Sequence, residues 1–249
     1  MIPIRDHNPS GTTPYVTWAL MAANILVFLG YWPLFSDPRA LNAFFYDWAM
    51  IPALVTREGA YLNMMTSMFM HGGLIHLAGN MLFLWIFGDN MEDEMGHLGF
   101  LGFYLACGIA AALAQVMAAP WSTVPMVGAS GAIAGVMGGY LLLFPLARVD
   151  ILVIIIFLVQ IITIPAWLML ALWFAFQLIG GVGMDAAAGG VAYWAHAGGF
   201  LAGVVLTLPV LMRKGGAGFW RRTHGHPPHP DGRYRHGRSN VPRVTRRKR

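Results

Sequence analysis
The chain has 249 residues, 57% hydrophobic and 11% charged, with a formal charge of +5 and a mean hydropathy of +0.58. Soluble domains carry roughly 25% charged residues, so the composition excludes an ordinary soluble domain. The alternating apolar–polar segments of a membrane barrel are also absent, and the lone Cys107 excludes a disulfide framework or a cysteine-rich metal site within one chain.

Six apolar stretches run along the chain, at about 15–36, 62–88, 98–119, 125–146, 151–182 and 190–212. A helix needs roughly 20 apolar residues to cross the hydrocarbon core. The pattern predicts an all-α polytopic membrane protein: a short N-terminus over 1–14, a six-helix domain over 15–212 and a tail over 213–249. Residues 1–14 are polar and show no cleavable signal peptide, so the first span serves as its own targeting signal. Residues 37–61 include "FFYDWAMIPAL", a mixture of aromatic and polar side chains suited to the membrane interface. An interfacial loop with short helices is expected there. The acidic "DNMEDEMGH" (89–97) reads as a loop between spans two and three.

The stretch 151–182 is too long for one helix and too short for two. Pro165 divides it, because the residue before a proline is pushed out of the helical region. The β-branched "ILVIIIF" is then an extended or interfacial lead-in, and span five covers about 165–182. The tail holds 12 of the 16 Lys and Arg and one acid, Asp231, so it carries +11 and the remainder −6. Basic residues flanking spans mark the cytoplasmic side. Both termini are therefore expected in the cytoplasm, with 37–61, 120–127 and 183–190 facing outward. The tail has too few apolar residues for a core and reads as disordered. Anionic lipid binding, worth about 1 kcal/mol per basic residue near the surface, and weak metal binding by His224, His226 and His229 are sharper alternatives. No nucleic-acid partner is expected.

Polar residues at membrane depth are costly and point to function. Span two opens with "FMHGGLIHLAGNMLF", placing His71, His76 and Asn80 at its outward end. His76 and Asn80 are four apart and share a helix face. Ser130 lies near the outward end of span four, and His196 in the outward half of span six. Gly131, Gly135 and Gly139 recur every fourth residue on span four, as do Gly199 and Gly203 on span six. Such spacing lets helix backbones approach closely, which would bring Ser130 to His196 as an activated nucleophile requires. Taken singly, each residue has a plainer reading: a packing serine, or a histidine or asparagine bonding helix to helix. No outward-half carboxylate or cysteine completes a metal site with His71, His76 and His196. "GASGA" departs from the G-x-S-x-G elbow at Ala132.

"HLAGN" (76–80), "FGDNMEDEMG" (87–96), "GASG" (128–131) and "AHAGGFLAG" (195–203), in that order, resemble the rhomboid family of intramembrane serine proteases. The resemblance covers about residues 15–212, and "ALMAANILVF" in span one and "ARVD" followed by "IPAWLML" also look like bacterial members. It implies a six-helix bundle with an outward-opening cavity, cofactor-free hydrolysis through an acyl-enzyme, and transmembrane proteins as substrates. Ser130 is then the nucleophile and His196 the base. His76, Asn80 and the Ser130 N–H form the oxyanion hole, with Gly128 leaving room for the substrate carbonyl. His71 and Glu92 match supporting positions. Many members stack an aromatic on the histidine from the position that is Ala134 here. The resemblance therefore leaves Tyr193, Trp194 or a span-five aromatic to orient His196. Some members carry a Trp-Arg pair in the first outward loop, where this chain has Trp48 and Arg57 apart. Lateral substrate access is expected near span five and the 183–190 loop, with its Gly181, Gly183, Gly189 and Gly190. Bacterial membership implies the cell inner membrane, with the site opening outward. A catalytically silent rhomboid-like protein that binds membrane helices is the main rival reading, and a transporter or channel using the polar residues as a pathway is the second.

Overall fold
The computed structural model describes residues 2–155, 158–185, 190–228, 230 and 232. After a strand β1 (Ile2–Asp6), helix α1 (Tyr15–Tyr31) runs into a 3₁₀ turn ending at Ser36. The 37–61 segment forms α2 (Pro38–Trp48) and α3 (Pro52–Glu58). The first is started by Asp37, whose carboxylate accepts from the N–H groups of Arg39 (2.9 Å) and Ala40 (3.3 Å), with Pro38 at the first helical position. Arg57 of α3 lies over the Trp121 ring at 5.4 Å, so the arginine finds its aromatic partner in a later loop and not at Trp48.

A short α4 (Asn63–Thr66) and a 3₁₀ turn over Ser67–Phe69 meet α5 (Leu74–Met95) at a 92° bend. Helix α5 continues through "DNMEDEM", where a loop was expected. The turn into α6 (His97–Ala118) is made by Gly96 alone, at φ +71°. Only a residue tolerant of the left-handed region closes so abrupt a connection. Among the described residues, four segments are long and apolar enough to cross a membrane: 15–36, 97–118, 166–183 and 193–213. The bent pair 63–69 and 74–95 makes a fifth when taken as one broken span.

Helix α7 (Ser130–Leu143) is the exception, with 14 residues where the apolar stretch 125–146 suggested a full span. It is about 21 Å long, short of the roughly 30 Å hydrocarbon core. Every residue from Gly131 to Tyr140 is buried. A helix apolar on all sides belongs at the centre of a bundle, and α7 packs against α5, α6, α8 (Ala166–Gly183) and α9 (Tyr193–Arg213). The outer helices turn large apolar side chains outward, such as Ile75, Leu26 and Val182. The chain is a multi-pass α-helical membrane protein.

The glycines permit the tightest contact. A Cβ on Gly203 would lie 1.9 Å from the Gly135 carbonyl oxygen, and one on Gly199 2.1 Å from that of Gly131. Gly138 joins the seam against the Phe200 carbonyl at 2.2 Å, and Gly139 continues it against Thr207 Oγ1 of α9 at 2.5 Å. Gly139 also meets Met91 of α5. Across α6, Cys107 and Ala111 fill the space beside Gly135 and Gly131.

The all-α expectation misses a small sheet. β2 (Arg148–Ile155) and β3 (Leu158–Pro165) form an antiparallel hairpin, and β1 adds to β2 on its other edge. Residues 151–155 of the β-branched lead-in to span five thus take its extended alternative, in β2. Asp150 ties the sheet together, accepting from Arg5 Nε (2.7 Å) and Thr163 Oγ1 (2.6 Å) and bonding His7 Nε2 (2.9 Å). Burial alone would raise its carboxyl, but these partners bring it down to about 2. The tail, expected without structure, begins with helix α10 (Ala217–Thr223). Phe219 is buried and Trp220 Nε1 donates to the Leu142 carbonyl (3.0 Å), seating α10 under the end of α7. His229 and the rest of the tail beyond 232 lie outside the described residues.

Two outcomes are expected. Gly203→Ala overfills the α7–α9 seam, at a cost of about 1–3 kcal/mol, and lowers the melting temperature in detergent. Burial pushes the Asp6 carboxyl up to about 8, although the Tyr140 hydroxyl donates to it at 2.7 Å. The folded chain then keeps a proton that the unfolded chain releases above its ordinary value of 3.8. Stability should therefore fall as pH climbs from about 4 to about 8 and level off beyond, and Asp6→Asn should flatten that slope in pH-dependent melting curves.

Candidate active site
Ser130 is the first residue of α7, held at depth by what precedes and surrounds it. Gly131 packs on Ala111, seven residues before α6 ends, so Ser130 sits about 10 Å below that end. The lead-in loop is pinned by pairing of Met126 with Met50 and by the Gly128 N–H donating to the Ser67 carbonyl at 3.0 Å. Gly128 takes φ +133°, and a Cβ there would lie 2.9 Å from the His76 ring. Both demands select glycine.

The α7–α9 seam brings His196, in the first turn of α9, to the serine. Its Nε2 is 2.7 Å from Ser130 Oγ. Its Nδ1 is 2.8 Å from Gln177 Oε1 on α8, and its ring lies 5.8 Å from that of Trp173 on the same helix. The span-five aromatic is thus Trp173. Tyr193 and Trp194 pack on Gly180 and Gly181, at the contact between α8 and α9. Gln177 was not singled out from the sequence, since one glutamine in an apolar helix has a plain helix-bonding reading.

His76 and Asn80 face Ser130 from α5. His76 Nδ1 accepts from the Gly72 N–H at 3.3 Å. A neutral imidazole accepting there carries its proton on Nε2, the nitrogen beside Gly128. The Asn80 amide donates one N–H to the His76 carbonyl at 2.9 Å, and a second donor remains. His71 is fully buried outside this set, its ring 5.2 Å from that of His76 and its backbone clasped by the Tyr31 hydroxyl. It packs against the His76 ring and does not line the cavity. Ser130, His196, His76, Asn80, Gly128 and Trp173 line one cavity of about 500 Å³, whose other walls are mostly apolar. Among the described residues no three His, Cys, Asp or Glu side chains converge as a metal would need.

Glu92 lies about 18 Å along α5 from Asn80. Its buried carboxylate accepts from the N–H groups of Val16 (2.9 Å) and Thr17 (2.7 Å) and from Thr17 Oγ1 (2.7 Å). It thereby caps α1 from a neighbouring helix. Gly199 and Gly203 form the seam and not the cavity. Of the 183–190 loop, residues 186–189, Gly189 included, lie outside the described residues.

Fold and site together define a helical membrane protein with a serine–histidine pair facing a cavity inside the bundle. The chain belongs to the rhomboid family, whose domain model matches residues 58–213. It is 30% identical over 199 residues to "Rhomboid protein 1, mitochondrial" of Saccharomyces cerevisiae, covering 76% of this chain and 51% of the yeast protein. It is 39% identical over 84 residues to "Rhomboid protease GluP" of Bacillus subtilis (34% of this chain, 16% of GluP). It is 30% identical over 128 residues to "Putative rhomboid protease YdcA" of the same organism (51% and 61%). The chain thus spans at most about six-tenths of the length of these relatives.

Replacing Glu92 with Ala leaves the first turn of α1 without its buried acceptor. The expected cost is about 3 kcal/mol, read as a lower melting temperature in detergent. Glu92→Gln, which keeps one acceptor oxygen, should lose less.

Proposed function
We propose that the chain is an intramembrane serine endopeptidase that cleaves transmembrane segments of other membrane proteins. The observation that carries this reading is the 2.7 Å contact between Ser130 Oγ and His196 Nε2 inside a cavity at membrane depth. Ser130 Oγ attacks the scissile carbonyl carbon as its proton passes to His196 Nε2. The oxyanion forms where the His76 Nε2–H, the free Asn80 N–H and the Ser130 backbone N–H converge. The last of these belongs to the first turn of α7, where N–H groups lack partners within the helix. Collapse of the intermediate breaks the C–N bond, and Nε2 returns its proton to the departing amine. Water then attacks the Ser130 ester, giving a proton to Nε2, and Ser130 recovers it when the acid leaves. No cofactor takes part.

A helical peptide bond is shielded, so a substrate must unwind at the cut, and small, helix-breaking residues there favour cleavage. Phe83 of α5 and Trp173 of α8 both line the cavity, which makes the gap between those helices the route in. With the basic tail cytoplasmic by the positive-inside rule, the cavity opens outward, at the inner membrane of a bacterial cell. Anionic lipid at the tail fits the same charge.

The test is cleavage of a transmembrane reporter in proteoliposomes. Ser130→Ala and His196→Ala should each lower the rate by at least about 10⁴-fold. Full cleavage by either variant overturns the reading.

A further inference from the structure
Gln177 is the one non-aromatic polar residue in "AWLMLALWFAFQLIGGVG". It is buried, and a buried amide is costly unless both ends are bonded. Both are: Nε2 donates to the Trp173 carbonyl at 3.2 Å, and Oε1 meets His196 Nδ1 at 2.8 Å. The reverse orientation would set the amide oxygen against the Trp173 carbonyl oxygen, acceptor on acceptor. Oxygen therefore faces the histidine, and Nδ1 must carry the proton of a neutral ring. The lone pair is left on Nε2, beside Ser130 Oγ.

We propose that Gln177 is a positioning residue for the Ser130–His196 pair, fixing the ring in the Nδ1–H tautomer and aiming Nε2 at the serine. The assignment rests on the protease reading above. Gln177 does this with a neutral carbonyl dipole where a serine triad uses a carboxylate, which avoids burying a charge among apolar helices. It also places the histidine's two supports, Gln177 and Trp173, on one helix. Helix α8 is seated on α9 by Gly180 and Gly181 against Tyr193 and Trp194. Displacing α8 would withdraw both supports together. Among the described residues, other titratable groups at this end are His76 on α5, across the same cavity, with His71 against its ring, and Asp185 and Tyr193, which line a separate small pocket.

The test compares wild type, Gln177→Met and Gln177→Glu, each full chain in proteoliposomes. Reporter cleavage is followed from pH 5 to 9, alongside Ser130 labelling by a fluorophosphonate. Gln177→Met keeps shape without an acceptor and should lower kcat about 10- to 100-fold, within the range of general-base catalysis, at nearly unchanged KM. Gln177→Glu keeps the acceptor and adds charge. It should recover kcat, with the acid limb of the pH profile moved to higher pH because a carboxylate favours the imidazolium. The inference is overturned if Gln177→Met matches wild type in kcat and pH profile, or if both variants lose equally with the profile unmoved. Should Gln177→Met not fold, the Gln177→Glu limb alone decides. A folded wild type that neither cleaves nor labels overturns the protease reading itself, and this assignment with it.

Discussion

Backbone-to-backbone contact between α7 and α9 is the constraint on which the rest depends. At Gly203 a single added carbon would fall 1.9 Å from the Gly135 carbonyl, so two helices touch with no side chain between them. In lipid the hydrophobic effect does not drive helices together, and close packing of small residues takes its place. One turn up the same seam, Gly199 meets the Gly131 carbonyl, and just beyond it Ser130 and His196 stand 2.7 Å apart. A larger residue in the seam would separate the pair without altering either member.

Other features follow from where that seam lies. Helix α7 is too short to cross alone and is buried on every side, so Ser130 opens a helix whose N-terminus is inside the bundle. The approach loop needs Gly128, since His76 occupies the space a side chain would take. Helix α8, on the far side of His196, supplies the aromatic face and the amide acceptor. At the opposite end Glu92, the Asp150 cluster and α10 hold α1, the sheet and the base of α7, leaving the cavity end to be shaped by the seam and α8.

Much of this was legible in the residues. The every-fourth glycines named the helices in closest contact, and polar residues at matching depth named the side chains that the contact brings together. The glycine register was read correctly at Gly131, Gly135, Gly199 and Gly203. At Gly139 the contact with α9 passes through the Thr207 side chain, and Gly138, which the four-residue period does not mark, also faces α9 because that period drifts around a 3.6-residue helix. The sheet was hidden because β1 pairs with residues some 145 positions away, and a five-residue strand has no periodicity of its own. The 89–97 segment misled through its acidity: Glu92 is charged yet buried, its cost offset by the unpaired N–H groups at the start of α1. Ala134 pointed to a missing support for His196 but not to its replacement. Trp173 was among the aromatics left open, while Gln177 becomes visible only once α8 is laid against α9.

The central claim is that packing at the seam turns Ser130 into a nucleophile through His196. Its most direct test is reaction of the folded, membrane-embedded chain with a fluorophosphonate, followed by peptide mass mapping. The account predicts one adduct, on Ser130, that is lost in His196→Ala. An unmodified Ser130 in folded protein, or an adduct that persists without His196, would contradict it.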